Sequence, residues 1–232
     1  MNTIIWRGVS STTIDGLLIC DLPPITKPKM KVKETTIDGR DGSTFEELGY
    51  QPYDKNVVIG LRGSYDLDRV IKYFTGEGDI IFGNEPTKVY KAKIVEKIDY
   101  KSLLRFKTAT IPFRVQPYKY KYNEAYKEVQ TDTGTSFEVF NEGLEESKPM
   151  TVLHGSGTVG ISVNGVHIFD YTFPDGESEV VIDSELQDAY LGDVLKNRNM
   201  NGEFPILVAG TNIIGWSGNV SSIEILPRSR WL

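Results

Sequence analysis

The chain has 232 residues, 39% hydrophobic and 25% charged, with a single Cys and a formal net charge of −6. These totals suit one large or two small soluble domains and exclude both a disulfide-stapled scaffold and a strongly basic nucleic-acid binder. No apolar run approaches bilayer length, and the N-terminus lacks a charged segment ahead of a long apolar core, so neither a membrane span nor a signal peptide is expected.

Charge is unevenly placed. Residues 1–120 hold 19 Lys and Arg against 15 Asp and Glu, while residues 121–232 hold 7 against 17, giving balances of +4 and −10. The mixed signs in "KPKMKVKE" and "KAKIVEKIDYK" describe solvated strand faces rather than a phosphate track. The asymmetry predicts two bodies, 1–120 and 121–232. The boundary falls at "QPYKYKYNEAYKE", read as strand and linker rather than as a base-stacking surface.

In chain order, "NTIIWRGV" and "DGLLICDLP" are short apolar runs between turn residues, hence strands. Cys20, among apolar neighbours, is expected to be a small buried hydrophobe in a protein folding in a reducing cytoplasm. "KMKVKETTI" alternates, placing Met30, Val32 and Glu34 on one face. "KNVVIGLRG" and "KAKIVEKIDY" follow as strands. In "LLRFKTATIPFRV" the alternation of Leu104, Phe106 and Thr108 predicts a long strand that Pro112 interrupts or places at an edge. "SYDLDRVIKYFTGEG" differs: Leu67, Val70, Ile71 and Phe74 form one apolar stripe of a helix over 66–74, capped by Ser64 or Asp66 and ended by Gly76.

The second half reads as short strands with Gly and Asn turns: "TSFEVFNEG", "KPMTVLHG", "GTVGISVNG", "VHIFDYTFP", "SEVVIDSE", "FPILVAG", "NIIGWSG" and "SSIEILP". Asn164-Gly165 signals a type I′ hairpin. The spacing predicts an antiparallel sandwich. The fold class is therefore mainly β, with one short helix in the first domain.

Signatures of chemistry are missing from the sequence. It has no Walker loop, dinucleotide fingerprint, HExxH or CxxC. His154 and His167 fall on neighbouring predicted strands and read as ordinary hydrogen-bonding residues, since a metal site needs three or four ligands. "HGSG" around Ser156 reads as a turn, not a nucleophile elbow. Asp183 and Glu185 share a strand face, the arrangement that paired carboxylates of a sugar hydrolase need, but acids at strand ends are common and these read as surface residues. Trp216 is the candidate glycan contact. It shares a face with Ile214, so it is expected to pack inward or against a neighbouring element. No enzyme activity, metal or cofactor is expected.

Several segments taken in order resemble the distal tail protein (Dit) family of long-tailed, siphovirus-type bacteriophages. They are "IDGRDGSTFEELGYQPYDKNVVIGLRG", "VIKYFTGEGDIIFGNEPTKVYKAKI", "IPFRVQPYKY", "NEGLEESKPMTVLHGSGTVGISVNG", "VVIDSE", "NGEFPILVAGTNIIGWSG" and the closing "PRSRW". The resemblance implies a tube-type β-sandwich-like first domain that forms a six-membered ring. It also implies a galectin-like or carbohydrate-module-like second domain on the outside. The implied role is the hub joining the tail tube to the baseplate or tip. Its neighbours would be further copies of itself, the tail tube protein, the tape measure and tip or fibre proteins. Such a protein is assembled in the bacterial host cytoplasm and ends in the virion. The long insertions of receptor-binding relatives are absent, so this is the short, structural form; a carbohydrate-binding module is the alternative. In "GRDG", Gly39 and Gly42 permit a tight turn. Arg40 and Asp41 are the candidate subunit contacts, with a local salt bridge from Arg40 to Asp38 or Glu46 the alternative.

Overall fold

The computed structural model describes residues 2–96, 98, 100–130 and 135–232, except the side chains of 102 and 130. It divides into two compact units, one ending at Tyr122 and one spanning Asn123–Trp231.

The first unit runs β1 (Ile4–Trp6), β2 (Val9–Ser10), β3 (Leu17–Asp21), β4 (Met30–Thr36), β5 (Ser43–Tyr50), β6 (Tyr53–Leu61), α1 (Leu67–Tyr73), β7 (Glu77–Phe82), β8 (Lys88–Lys93), α2 (Tyr100–Phe106) and β9 (Thr108–Lys121). Its main sheet is antiparallel, in the order β2-β1-β7-β8-β9-β6-β3, and β4 pairs with β5 in a separate hairpin. Inward residues of the main sheet, among them Trp6, Val57, Ile59, Ile80, Phe82, Ile111 and Phe113, close on Val70 and Phe74 of the helical segment. Phe113 stands edge-on to Trp6, Phe74 and Phe82, with centroids 5.1, 6.3 and 6.3 Å away, as aromatic quadrupoles favour.

Helix α1 forms where its stripe requires. The Asp66 carboxylate caps it, accepting the N–H groups of Asp68 and Arg69 at 3.0 and 3.2 Å. Val70 and Phe74 are buried, Leu67 and Ile71 half-buried. Tyr73 joins the buried face and donates its hydroxyl to the Val9 carbonyl at 3.0 Å.

Other expectations for this unit meet a different outcome. The stretch from Leu104 does not begin a strand. Tyr100–Phe106 is helical, so the described residues hold two α-helices. Leu103 is the buried anchor, Leu104 and Phe106 face water, and Lys107 at φ +60° turns the chain into β9. Pro112 does not interrupt β9 but takes the edge position, the other expectation: it lies opposite Asn56 of β6, outside the segment that pairs with β8, so one side of the strand needs no N–H there. Cys20 is exposed, not buried: Leu17 and Ile19 are the inward residues of β3, so strand alternation puts Cys20 on the opposite face with Leu18. Of the strand read over 91–100, residues 91–93 belong to β8, and Lys97 and Asp99 lie outside the described residues.

The second unit holds β10 (Lys127–Gln130), β11 (Ser136–Asn141), β12 (Met150–Val163), β13 (Val166–Thr172), β14 (Glu179–Asp183), β15 (Asp188–Leu191), β16 (Val194–Leu195), β17 (Met200–Gly202) and β18 (Gly210–Leu226). The backbone of the sheet is β10-β18-β12-β14-β15-β16. β11 also pairs with β18, and β13 pairs with β12 and β17. The first part of β12 pairs with β14 and the later part with β13. The sheet therefore curls into an antiparallel sandwich around Leu153, Val159, Ile161, Phe169, Val180, Ile182, Ile214 and Ile223.

"HGSG" is not a turn here. β12 passes through it, with register shifts against β18 after His154 and Ser156. A Cβ on Gly155 would lie 2.5 Å from the Asn219 carbonyl, so only glycine lets the two strands approach at this bulge. "NIIGWSG" and "SSIEILP" likewise join into the single β18, and "FPILVAG" is irregular apart from one bridge between Leu207 and Ser147. The Asn164-Gly165 hairpin is as expected: both residues have positive φ, 52° and 80°, and Val163 pairs with Val166.

Candidate assembly interface

The hairpin of β4 and β5 is the element whose sequence and surroundings disagree most. Its alternation resembles that of a strand with one buried face, yet neither face is covered by the main sheet. Val32, Ile37, Phe45 and Leu48 are 49%, 53%, 61% and 55% exposed. Single exposed apolar residues are ordinary; several large ones on one isolated hairpin mark a surface that another body covers. The face expected to carry Met30, Val32 and Glu34 is not a core face: Met30 is half-buried and the other two are exposed. An isolated two-stranded hairpin is marginal in water. This arm gains support from the Lys33–Glu46 pair at 3.3 Å and from its tethered root.

Arg40 and Asp41 stand at the arm's tip, in the turn between β4 and β5, where Gly39 and Gly42 take φ of +81° and +83°. Among the described residues neither side chain has a hydrogen-bond or ion-pair partner, and Glu46 is taken by Lys33. The tip therefore presents a cation and an anion side by side to solvent.

The root is built around a charge in the core. Lys55 stands in the inward row of β6 with Val57 and Ile59 and is 1% exposed. Its Nζ donates to the Pro24 carbonyl at 2.9 Å and lies 3.9 Å from Glu85 Oε2. It also lies 5.0, 5.5 and 5.9 Å from the ring centroids of Tyr90, Phe82 and Tyr53. Glu85 accepts from Lys119 Nζ at 2.8 Å and from the Tyr90 hydroxyl. Beside it, Asn84 Nδ2 donates to the Pro23 carbonyl at 3.0 Å. Burial pushes Lys55 below its ordinary value, with Glu85 opposing the fall and Lys119 adding to it. Burial raises Glu85, but hydrogen bonds from Lys119 and Tyr90, and both ammonium charges, bring it below the usual carboxylate range. Burial and the Glu85 charge push the Tyr53 phenol up to about 12. The sequence signals for this cluster are slight: a lone Lys in an apolar alternation and the Pro23-Pro24 pair ahead of it.

In the second unit the residues weighed for chemistry have structural partners. Arg228 grips Asp183 with both arms of its guanidinium, at 2.6 and 2.7 Å. Its Nη1 also lies 3.5 Å from Glu185. Asp183 Oδ1 accepts the N–H groups of Glu185 and Leu186 as well, closing the turn after β14. The two acids are brought together, but around an arginine. His154 lies 3.9 Å from Glu179 and 3.5 Å from Glu224, and His167 3.4 Å from Asp170. The structure does not bring the two histidines together, and no group of three or more metal-type ligands occurs among the described residues. Trp216 is half-buried against the second core, with its ring 6.0 Å from that of Phe137.

Neither a scan against protein-family models nor a search of curated proteins gave a match. Solved structures did. The chain is similar over 100% of both lengths to the SPP1 Dit protein, described as a paradigm of the hub adsorption apparatus in phages that infect Gram-positive bacteria, with a TM-score of 0.74 at 14% identity. It is similar over 97% of both lengths to a chain of the phage P2 baseplate in its activated conformation with calcium, with a TM-score of 0.54 at 11% identity. Through both units, in the same order, this chain has the fold of a Dit-type protein.

Proposed function

We propose that this protein is a structural subunit of a phage tail hub, joining the tail tube to the baseplate or tip. The observation that carries the reading is the end-to-end correspondence with the SPP1 Dit protein: similarity in one unit alone would fit many β proteins, whereas both units in order fit few. The exposed arm supports it. A ring subunit needs a surface that stays uncovered until another copy arrives, and a contact between unlike patches closes into a ring when the rotation allows. The first half is nearly charge-balanced, so copies approach without strong repulsion, while the second half carries a surplus of ten acids and belongs on the periphery.

In this reading six copies form the ring through the N-terminal unit, with Val32, Phe45 and Leu48 seated on the neighbour and Arg40 and Asp41 pairing with its charges. The tail tube protein, the tape measure and tip or fibre proteins are the other partners. The role is non-enzymatic, the destination is the virion tail tip, and assembly takes place in the bacterial host cytoplasm. Negative-stain imaging and light scattering of the full chain test this. Closed six-fold rings are expected. A protein that stays monomeric at high concentration, alone and with its tail tube partner, overturns the proposal.

A further inference from the structure

We infer that Lys55 is a positioning residue for the arm, fixing the direction in which β4 and β5 leave the core; its consequence for assembly rests on the hub reading above. The chain enters the arm through Leu22-Pro23-Pro24, two consecutive residues without an N–H. The main chain of the two prolines can be hydrogen-bonded only through its carbonyls. Both carbonyls are tied, that of Pro23 by Asn84 and that of Pro24 by Lys55. Beyond them Ile25 is exposed, and the two legs of the arm next meet where the Gln51 N–H donates to the Lys29 carbonyl at 2.9 Å. The returning leg enters β6 at Tyr53, whose ring lies over the same ammonium. One side chain thus contacts the outgoing and the returning leg.

A methionine of similar length would fill the inward row beside Val57 and Ile59, and Glu85 would keep Lys119 as a counter-charge, so the replacement costs less than leaving a buried carboxylate wholly unpaired. A methionine cannot hold a carbonyl. The retained charge is therefore explained by direction rather than by packing. Glu85 and Lys119 complete the device, because an ammonium in this position needs a counter-charge and the carboxylate needs its remaining lone pairs filled.

The test is amide hydrogen exchange with light scattering on full-length Lys55→Met, Asn84→Ala and a variant whose residues 31–49 are replaced by a two-residue turn. In Lys55→Met the Gln51 amide and the β4–β5 amides should exchange about tenfold faster, the loss of one charge-assisted hydrogen bond. Amides of β7 and β9 should keep their wild-type rates, and assembly should weaken. Should Lys55→Met fail to fold, Asn84→Ala, which strands no buried charge, must show the same localised loosening. Unchanged arm exchange in the folded variants overturns the inference. So does normal assembly from a loosened arm, provided that the arm-deleted chain fails to assemble. If the arm-deleted chain assembles normally, the arm's part in the hub reading has failed instead.

Discussion

Each unit buries an ionic cluster, and the two are built differently. Arg228 and Asp183 meet as planar fork to carboxylate, both anchored within the sandwich, and the carboxylate also closes its own turn. Lys55 is a point charge that reaches a main-chain carbonyl at the mouth of an arm. The fork gives two parallel bonds and fixes one geometry, which suits closing a fold. The ammonium holds whatever acceptor is brought to it, which suits tethering a segment that projects. Buried ions of equal rarity thus tell an inward-looking body from an outward-looking one.

The largest expected effect is on the fork. Asp183→Ala leaves Arg228 without its partner and should destabilise the second unit by about 3–5 kcal/mol, seen as a lower unfolding midpoint for that unit alone. A change below about 1 kcal/mol would mean the pair is replaceable by water, and the contrast with Lys55 would lose its basis. In the first unit, Phe74→Ala opens a cavity among Trp6, Phe113 and Val70 and should cost about 3 kcal/mol or more. The fork also has a pH signature. Burial raises the Asp183 carboxyl, and Arg228 with the Leu186 and Glu185 N–H groups more than reverses this, leaving it below its ordinary value. A depressed carboxyl contributes stability above its unfolded value and loses it as pH falls through the folded one. The stability gap between wild type and Asp183→Asn should therefore be full at neutral pH and shrink below about pH 4; chemical denaturation across that range measures it, and a constant gap counts against the assignment. Asp66→Ala removes only a helix cap and should cost about 1 kcal/mol. Lys72→Ala, on the exposed face of α1, should stay within about 0.5 kcal/mol; equal losses for Lys72→Ala and Phe74→Ala would mean that the buried face of α1 lies elsewhere.

The sequence is most legible where one local rule is sufficient. The Asn164-Gly165 turn needs positive φ at both residues, and α1 has a cap, a stripe and a terminating glycine. It is least legible where a pattern has two physical causes. The Met30–Thr36 alternation is the same whether a face is covered by its own core or by another chain, so the arm looks like an ordinary half-buried strand. Leu104 and Phe106 alternate like strand residues, but Leu103 is the side chain that anchors the segment, and a seven-residue helix offers too little periodicity to say so. Lys55 is invisible because nothing in "YDKNVVIGL" tells that a lysine's row turns inward. Pro23-Pro24, a pair that only carbonyl acceptors can tie, was the available hint.

One property of the sandwich bears on how the protein is made. β18 is its central strand, pairing with β10, β11 and β12, and it is also the last long strand in the chain. Its partners therefore leave the ribosome with their pairing edges and apolar faces unmatched until residues beyond 210 follow. Strands β1–β9 of the first unit all lie before Tyr122. Folding during synthesis should then be stepwise, with these nine strands made while the second unit is still a set of open strands waiting for β18. A ribosome stalled shortly before that strand would carry the nine strands of the first unit and an aggregation-prone remainder.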